Sequence, residues 1–225
     1  KLDGGEFDFR VIDTPTELHE LITEKNKLNN KARVVAGYCW SWASKKNPGN
    51  FDIVIPEFNY AKRWNLGSDG SLWIVAPTSI DEVGCIHTSQ GLELDYVGVI
   101  VGPDLIVRDG VIITQPEQRA RSDKSLSGYK KLFASNALTA KQRADQIIKN
   151  TYRTLMTRGI KGCYIYCTDA ETAEYFKSRL VEINAANIKE KVVAVSNAQL
   201  VIPLPDKVLP FKKPVKQDIG KRVNT

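Results

Sequence analysis

The sequence predicts an α/β fold with a mostly parallel sheet flanked by helices. Strand-like and helix-like segments alternate along the 225 residues, the order of elements typical of α/β folds. The run 97–101 holds only valine, isoleucine and glycine, as expected for a strand buried on both faces of a parallel sheet. The hydrophobic content of 42% is enough for a sizeable core.

The N-terminal part predicts a strand, a helix and a second strand. Residues 9–12 indicate the first strand. Thr14 is then placed as a helix N-cap, with Pro15 at the first helical position and Glu17 at the third, a combination that favours a helix start. Apolar residues continue at helical spacing, and the segment 33–38 is β-type.

Two irregular features follow. Residues 44–72 are rich in Gly, Asn, Ser and Pro, with Trp64 and Trp73 at the edge of the stretch, and predict a loop with short strands more than core. Further on, two β-type runs flank Asp109 and Gly110. Asp-Gly supplies the positive backbone angles of a two-residue turn, so a β-hairpin insertion is predicted.

The C-terminal part predicts a helix, a strand at 163–167 and another helix. Gly159 is placed as the C-cap of the first helix, and 168–171 forms a capping box for the second. The predicted inward residues are Ala144, Ile147, Ile148, Thr151 and Leu155 in the first helix and Ala173, Phe176, Leu180 and Ile183 in the second.

The domain organisation is predicted as one lobe at 1–190 and a basic, Pro/Lys-rich extension at 191–225. Four prolines after residue 202 exclude a long helix there. Residues 203–225 hold six basic and two acidic side chains, so they contribute +4 of the net charge of +6. This extension either wraps the lobe or stays mobile. A second basic stretch, 115–131, suits a polyanion or a solvated face.

The composition also excludes several classes of protein. The four cysteines and two histidines have no spacing typical of a metal site, so reduced thiols and no bound metal are predicted. Neither a membrane span nor a signal peptide is predicted from the sequence, and a cytoplasmic location is expected. Because the chain starts at Lys1, within the approach to a strand, we expect a piece of a longer protein.

The first motif with chemical content lies at 86–97. A strand leads into the polar turn His87, Thr88, Ser89, Gln90, Gly91, and Glu93 precedes the next strand. A glycine among polar residues lets a phosphate approach the backbone closely. The alternative is an ordinary turn in which Ser89 is a cap and Gly91 serves only the geometry.

The second motif lies at 152–159, where the sequence reads Tyr-Arg-Thr-Leu-Met-Thr-Arg-Gly. Arg158 follows Leu155 by three residues and Thr151 by seven, which places its guanidinium on the apolar stripe of the helix. A charge there requires a partner. That partner is either a local carboxylate or the last helix carbonyls, or a nucleotide phosphate.

Together the two motifs resemble motifs V and VI of superfamily-1 helicases, roughly T-x-x-Q-G-x-E followed by T-R. The segment 150–169 is especially similar to the Schlafen-like DNA/RNA helicase family, and the resemblance covers 9–183. It implies a RecA-like fold of the P-loop NTPase type. The chain is then a second, C-terminal motor lobe that carries motifs IV to VI.

The resemblance also implies residue roles. Arg158 corresponds to the arginine finger that contacts the γ-phosphate of ATP. Gly91 contributes backbone near the phosphates, Glu93 binds the ribose hydroxyl, and Gln90 links the nucleotide to nucleic acid. The nucleic-acid strand is assigned to His87, Thr88, Ser89, Trp40 and Trp42.

The segment 34–42 takes the place of motif IV, but it lacks the arginine often found there. Tyr38 is the residue assigned to the nucleotide. Trp40 and Trp42 either stack on bases, at about 1 to 3 kcal/mol per base, or pack in the core.

The phosphate-gripping half of an ATP site is missing from this chain. No G-x-x-x-x-G-K-[ST] occurs, because Lys221 is followed by Arg222, and no apolar strand ends in Asp-Glu. ATP with magnesium is therefore assigned to an N-terminal RecA-like lobe of the same parent chain, and DNA or RNA is the expected partner.

Alone, the present chain is expected to be inactive as an ATPase. Self-association does not help, because an identical copy lacks the same loop. The alternative is a non-catalytic nucleic-acid or protein-binding module derived from a helicase lobe.

Overall fold

The computed structural model describes residues 7–65, 73, 74, 76–88 and 93–199, and the side chains of the last helix as far as residue 185. The chain divides into two compact units, Lys1–Glu182 and Ile183–Thr225. The candidate site and the pockets discussed below belong to the first unit. The predicted boundary at residue 190 stays a prediction, and the Pro/Lys-rich segment after residue 199 lies outside the described residues.

Nine strands and four α-helices are described, joined by loops and short 3-10 turns. The strands are β1 (Asp8–Val11), β2 (Ala32–Ala36), β3 (Ile53–Ile55), β4 (Tyr60–Lys62), β5 (Val83–Gly84), β6 (Leu94–Val101), β7 (Leu105–Arg108), β8 (Val111–Thr114) and β9 (Gly159–Cys167). The helices are α1 (Pro15–Asn26), α2 (Tyr129–Ser135), α3 (Ala137–Met156) and α4 (Ala170–Gln199).

The central sheet has five described strands in the order β1-β9-β6-β2-β5, and every neighbouring pair is parallel. The predicted α/β fold with a mostly parallel, helix-flanked sheet is confirmed. The chain leaves β2 towards β5 and leaves β6 towards β9, in opposite directions along the sheet. Such a reversal opens a crevice at the carboxyl ends of the two strands.

Helices cover both faces of the sheet. Leu18 and Ile22 of α1 are fully buried in one apolar cluster, whereas Ile148 and Leu155 of α3 are fully buried in the other. The predicted stripe of α3 is thus confirmed at these positions. Gly98 in β6 keeps α1 close, because a Cβ there would lie 2.8 Å from Ile22.

The first predicted helix start is confirmed, and the last is shifted by one residue. The Thr14 hydroxyl accepts a hydrogen bond from the Glu17 amide at 3.1 Å. At α4, however, the Asp169 carboxylate accepts the Thr172 amide at 2.9 Å, whereas the Thr168 hydroxyl donates to the Val101 carbonyl. Thr168 therefore joins the strand ends, and Asp169 is the cap.

The predicted C-cap at Gly159 is wrong. Helix α3 is capped by Thr157, and Gly159 is the first residue of β9. A side chain at Gly159 is excluded by contact, since a Cβ would lie 2.0 Å from the Gly162 carbonyl oxygen. Arg158 therefore lies in the turn between α3 and β9, and its predicted place on the helical stripe is wrong as well.

Two further expectations concern burial. The loop with short strands at 44–72 is confirmed in its described part by the antiparallel pair β3–β4. Trp64 and Trp73, however, are 0% and 1% exposed, so they belong to the core. Ile183, predicted to face inward, is 50% exposed, so that prediction is wrong.

The β-hairpin predicted around Asp109 and Gly110 is confirmed. Strands β7 and β8 pair antiparallel with Arg108 opposite Val111. The two turn residues have φ angles of 51° and 74°, as a two-residue hairpin turn requires. Within the described residues, no helix is long and apolar enough to span a membrane.

Candidate functional site

The predicted site residues lie at two opposite ends of the central sheet. We call the end where the strands begin the amino edge and the end where they finish the carboxyl edge. Arg158 and Glu93 directly precede β9 and β6 at the amino edge. Tyr38, Trp40 and Trp42 follow β2 at the carboxyl edge, as His87 and Thr88 follow β5. Ser89, Gln90 and Gly91 lie outside the described residues.

At the amino edge, a backbone hydrogen bond joins the two motifs. The Leu94 amide donates to the Arg158 carbonyl at 3.0 Å. Glu93 is the neighbour of Leu94 in sequence, and it is exposed. Residues 65 apart in the chain therefore reach the same edge of the sheet because β6 and β9 pair in parallel.

The Arg158 guanidinium has a hydrogen-bond donor without a partner in the described part of the chain. The residue is half-buried, and its Nε atom is buried without a hydrogen-bond partner. No carboxylate of the described residues forms an ion pair with it. A buried donor left unbonded costs about 1 to 3 kcal/mol, so this arginine gains free energy from any acceptor that reaches the edge.

Asp95, the acidic residue that follows Leu94 in the sequence, already has hydrogen-bond partners. Asp95 accepts hydrogen bonds from Lys161 and Asn29, both at 2.7 Å. These bonds, that of Lys161 foremost, hold the pKa of Asp95 below its usual value. Lys25 lies 4.4 Å from the centre of the Tyr96 ring. The amino edge thus carries lysines and an acid, Asp95, that is already paired.

At the carboxyl edge, Tyr38 is buried and stacks on Trp64, with ring centres 5.3 Å apart. Its hydroxyl accepts a hydrogen bond from Ser122 at 3.4 Å. Burial raises the pKa of that hydroxyl. Trp40 and Trp42 are half-buried and pack against the apolar cluster, so core packing is confirmed in part, and stacking on bases stays a prediction.

His87 and Thr88, in the turn after β5, differ in whether a ligand can reach their side chains. The Thr88 hydroxyl accepts the Cys85 amide at 2.8 Å and bonds to the Asn65 side chain at 3.1 Å. Thr88 is therefore committed to holding the turn. His87 is exposed, and it is the side chain of this pair that a ligand can reach.

The residues predicted to bind ATP are consequently divided. Arg158 and Glu93 both lie at the amino edge, whereas Tyr38 lies at the carboxyl edge, one strand length away. The nine residues of β9 span about 30 Å. Within this lobe Tyr38 does not share a site with Arg158, and its contact with the nucleotide stays a prediction.

A buried polar network supports the carboxyl edge. The Tyr152 hydroxyl donates to Asp104 and accepts the Gly102 amide at 2.8 Å. Arg119 donates to Asp104 at 3.0 Å, and its Nε lies 2.6 Å from Asp123. Arg119 was predicted to belong to a basic surface stretch, but it is buried because these two carboxylates neutralise it. Asp123 is a near neighbour of Arg119 in the sequence, whereas Asp104 and Tyr152 reach the network only through the fold.

The geometry defines a class of protein. A five-stranded parallel sheet covered by helices, with the two motifs joined at one edge, is a RecA-like α/β lobe of the kind that helicases contain. The chain belongs to the family described as Schlafen group 3, DNA/RNA helicase domain, whose model matches residues 1–169. The expected resemblance is thereby confirmed.

A curated relative is known from yeast. The chain is 31% identical over 172 residues to the uncharacterized protein YPL245W of Saccharomyces cerevisiae. The match covers 75% of this chain and 36% of the relative, so the chain spans about a third of the relative's length. No solved structure matches the chain.

Proposed function

We propose that this chain is the second motor lobe of an ATP-dependent DNA/RNA helicase or translocase. In this proposal the amino edge faces ATP with magnesium, held by an N-terminal RecA-like lobe of the same parent chain. Arg158 contacts the γ-phosphate as an arginine finger, and Glu93 binds the ribose hydroxyl. The carboxyl edge contributes to the nucleic-acid track.

The observation that carries the proposal is the hydrogen bond from Leu94 to Arg158. The two helicase-like motifs lie far apart in the sequence. This bond joins them at one edge of the sheet. The orphaned Nε of Arg158 fits the proposal, because the donor lacks an internal acceptor and a phosphate oxygen accepts strongly. The lack of an ion pair between Arg158 and any carboxylate of the described residues fits as well.

The chemistry asked of this lobe is positioning and charge stabilisation. Magnesium and the phosphate loop would neutralise the phosphates from the other side. The fixed, always-charged guanidinium of Arg158 would stabilise the charge that develops on the transferred phosphoryl group. Its position at the start of a central strand limits its motion, so little reorganisation is needed when the two lobes close.

The test is ATP turnover by a parent protein that carries a phosphate-loop lobe. Arg158→Ala is expected to lower turnover by about 10³- to 10⁵-fold while the melting temperature and strand binding stay unchanged. Arg153→Ala is the matched control, because Arg153 is exposed near the end of the same helix and its side chain bonds to the neighbouring Asn150. Unchanged turnover in Arg158→Ala would remove the arginine-finger role.

The second candidate is a non-catalytic nucleic-acid-binding module. It is favoured by the lysines at the carboxyl edge that form no ion pair with described residues, Lys45, Lys46 and Lys124 among them. Salt-sensitive strand binding by the 225-residue chain, combined with no ATP turnover in any parent protein, would favour this module over the motor lobe.

A further inference from the structure

Two cavities open at the carboxyl edge, and no residue lines both. One has a volume of about 590 Å³ and is lined by Cys39 and Trp40. The other has a volume of about 740 Å³ and is lined by Tyr38, Ser41 and Trp42. The segment 38–42 thus forms a wall between them, and it leaves β2 at the reversal point of the sheet.

The larger cavity, called the basic pocket, combines cations with aromatic rings. Lys45, Lys46, Lys124 and His87 line it and are exposed. Lys45 lies 5.7 Å from the centre of the Trp42 ring. No lysine of the three forms an ion pair within the part of the chain that the structure describes. Unpaired lysines beside aromatic rings suit a phosphodiester chain.

Acidic residues close to the basic pocket in sequence are turned inward. Asp52 is buried and accepts the Ser44 and Trp64 amides at 2.7 and 2.8 Å. Asp123 is buried against Arg119. No carboxylate lines the basic pocket itself, so its described lining is cationic and attracts anions.

The smaller cavity, called the aromatic pocket, has a different character. Trp40, Phe58 and Tyr166 line it, and the rings of Phe58 and Tyr166 meet edge to face at 5.9 Å. Phe58 is 40% exposed, so part of its ring is accessible to a ligand. The cavity falls within the range of about 300 to 1,000 Å³ typical of small-molecule sites.

Polar groups of the aromatic pocket suit the edge of a planar ring. Gln115, Gln118 and Glu57 line it, and no hydrogen bond of their side chains to each other occurs within the described residues. Asp169 is engaged by Arg108 through two bonds of 2.8 Å, which lower its pKa to about 2. The lining holds two carboxylates, Glu57 and Asp169, and one cation, Arg108. Its net charge is therefore negative, which disfavours phosphate.

The wall between the pockets is held firmly. The Trp64 indole donates to the Trp40 carbonyl at 3.2 Å, and the Ala120 amide donates to the Tyr38 carbonyl at 2.9 Å. The Tyr38 ring lies stacked on Trp64. A fixed wall presents both pockets in one geometry, so the ordering cost on binding is small.

We propose that single-stranded nucleic acid crosses segment 38–42, with its phosphates on the basic pocket and one unstacked base in the aromatic pocket. Glu57 accepts a hydrogen bond from the exocyclic amino group of that base. The lobe therefore prefers cytosine over uracil or thymine. This inference rests on the nucleic-acid binding of the proposed function and adds residues outside the helicase motifs.

The phosphate half is tested by strand binding to the 225-residue chain across a salt series. Replacing Lys45, Lys46 and Lys124 by alanine is expected to reduce the slope of log affinity against log salt by about 2, at about 0.7 per phosphate contact. The matched control replaces Lys25, Lys27 and Lys31, which removes the same charge at the amino edge, and its slope is expected to change little. Equal slope changes in both triple variants would overturn the phosphate half.

The base half is tested with fluorescent cytosine strands against thymine strands, and with the cytidine and uridine counterparts, at neutral pH. The native chain is expected to favour cytosine by about tenfold, the factor that about 1.4 kcal/mol supplies. Glu57→Gln is expected to remove most of this preference and Trp40→Ala to weaken all strands, whereas Glu20→Gln on the exposed face of α1 leaves the preference intact.

The outcomes separate the two levels of inference. If no single strand binds, the nucleic-acid part of the proposed function fails together with this inference. If strands bind but the lysine, Trp40 and Glu57 variants match the native chain, only the two-pocket path is overturned. A preference for thymine or uracil that persists in Glu57→Gln would overturn the base assignment. Comparison of the deoxyribose and ribose strands shows which sugar the path accepts better.

Discussion

The backbone amide of Leu94 donates to the carbonyl of Arg158, although 64 residues separate them. The bond lies where β6 and β9 begin, next to an irregular register between Leu94 and Tyr96. Gly159 and Gly162 make this irregularity possible, because neither has a side chain at the point of closest approach. The position of Arg158 is therefore set by the start of β9.

Gly159→Ala is expected to lower the free energy of unfolding by about 1 to 3 kcal/mol, the usual cost of overpacking. The added Cβ would lie 2.0 Å from the Gly162 carbonyl oxygen, and backbone must move to relieve that contact. Urea denaturation measures the loss. Gly49→Ala is the control, since its Cβ meets only the Asn47 side chain at 3.3 Å. Equal stability of the two variants would contradict a tight strand start.

Arg33→Met is expected to destabilise the lobe by at least about 3 kcal/mol, because several buried acceptors lose their donor at about 1 to 3 kcal/mol each. The guanidinium is fully buried and bonds to Ser79 and the Ile74 carbonyl at 2.8 and 2.5 Å. Thermal unfolding checks the result. Arg10→Met removes an exposed pair with Asp8 and should cost below about 1 kcal/mol. Similar losses in both variants would show that the Arg33 bonds contribute little.

The stability of the lobe is expected to fall between pH 6.5 and about 4 through His19. Its Nε2 donates to the Ile80 carbonyl at 2.7 Å, and its Nδ1 accepts from the Tyr60 hydroxyl at 3.0 Å. Burial lowers its pKa from 6.5 to about 4. In this window the unfolded chain binds a proton that the folded chain does not, so acidification favours unfolding.

The magnitude follows from the shift, at about 1.4 kcal/mol per pH unit and about 3 kcal/mol over the whole window. Urea titrations at several pH values measure it. His19→Gln should flatten this part of the profile, whereas His87→Gln should leave it unchanged because His87 is exposed. A native slope retained in His19→Gln would assign the acid sensitivity to other groups.

Gly110→Ala is expected to cost about 1 to 2 kcal/mol, the penalty of a left-handed backbone for a residue with a Cβ. Gly110 has a φ of 74°, and an added Cβ would meet nothing within 4 Å, so backbone strain is the whole effect. Gly110→Asn should cost less, because asparagine tolerates this conformation better. Equal losses for the two substitutions, measured by thermal unfolding, would point to a cause other than the turn angle.

Local features of the fold could be predicted from the sequence because they depend on residues that are close together in the chain. The cap at Thr14, the turn at Asp109 and Gly110 and the apolar run of β6 each follow from side-chain type and spacing. The end of α3 was not readable in this way. Helical periodicity continues through Arg158, whereas the helix ends at Met156 with Thr157 as its C-cap, and Gly159 begins β9.

Burial of charged and aromatic groups required the tertiary structure. Arg119 was predicted as a surface cation from the sequence, and only the fold brings Asp104 to it, in addition to its near neighbour Asp123. Trp64 lies among loop-forming residues but fills the space beneath Tyr38. Both outcomes depend on partners far along the chain, which composition and periodicity do not identify.

The sequence by itself determined the α/β alternation, the two helicase-like motifs and the absence of a phosphate loop, since each is written in contiguous residues. Only the tertiary structure decided that Arg158 meets Leu94 at one end of the sheet while Tyr38 lies at the other. The physical reason is strand order. Which strands pair is set by the burial of surfaces distant in the chain, and that order assigns every loop to an edge.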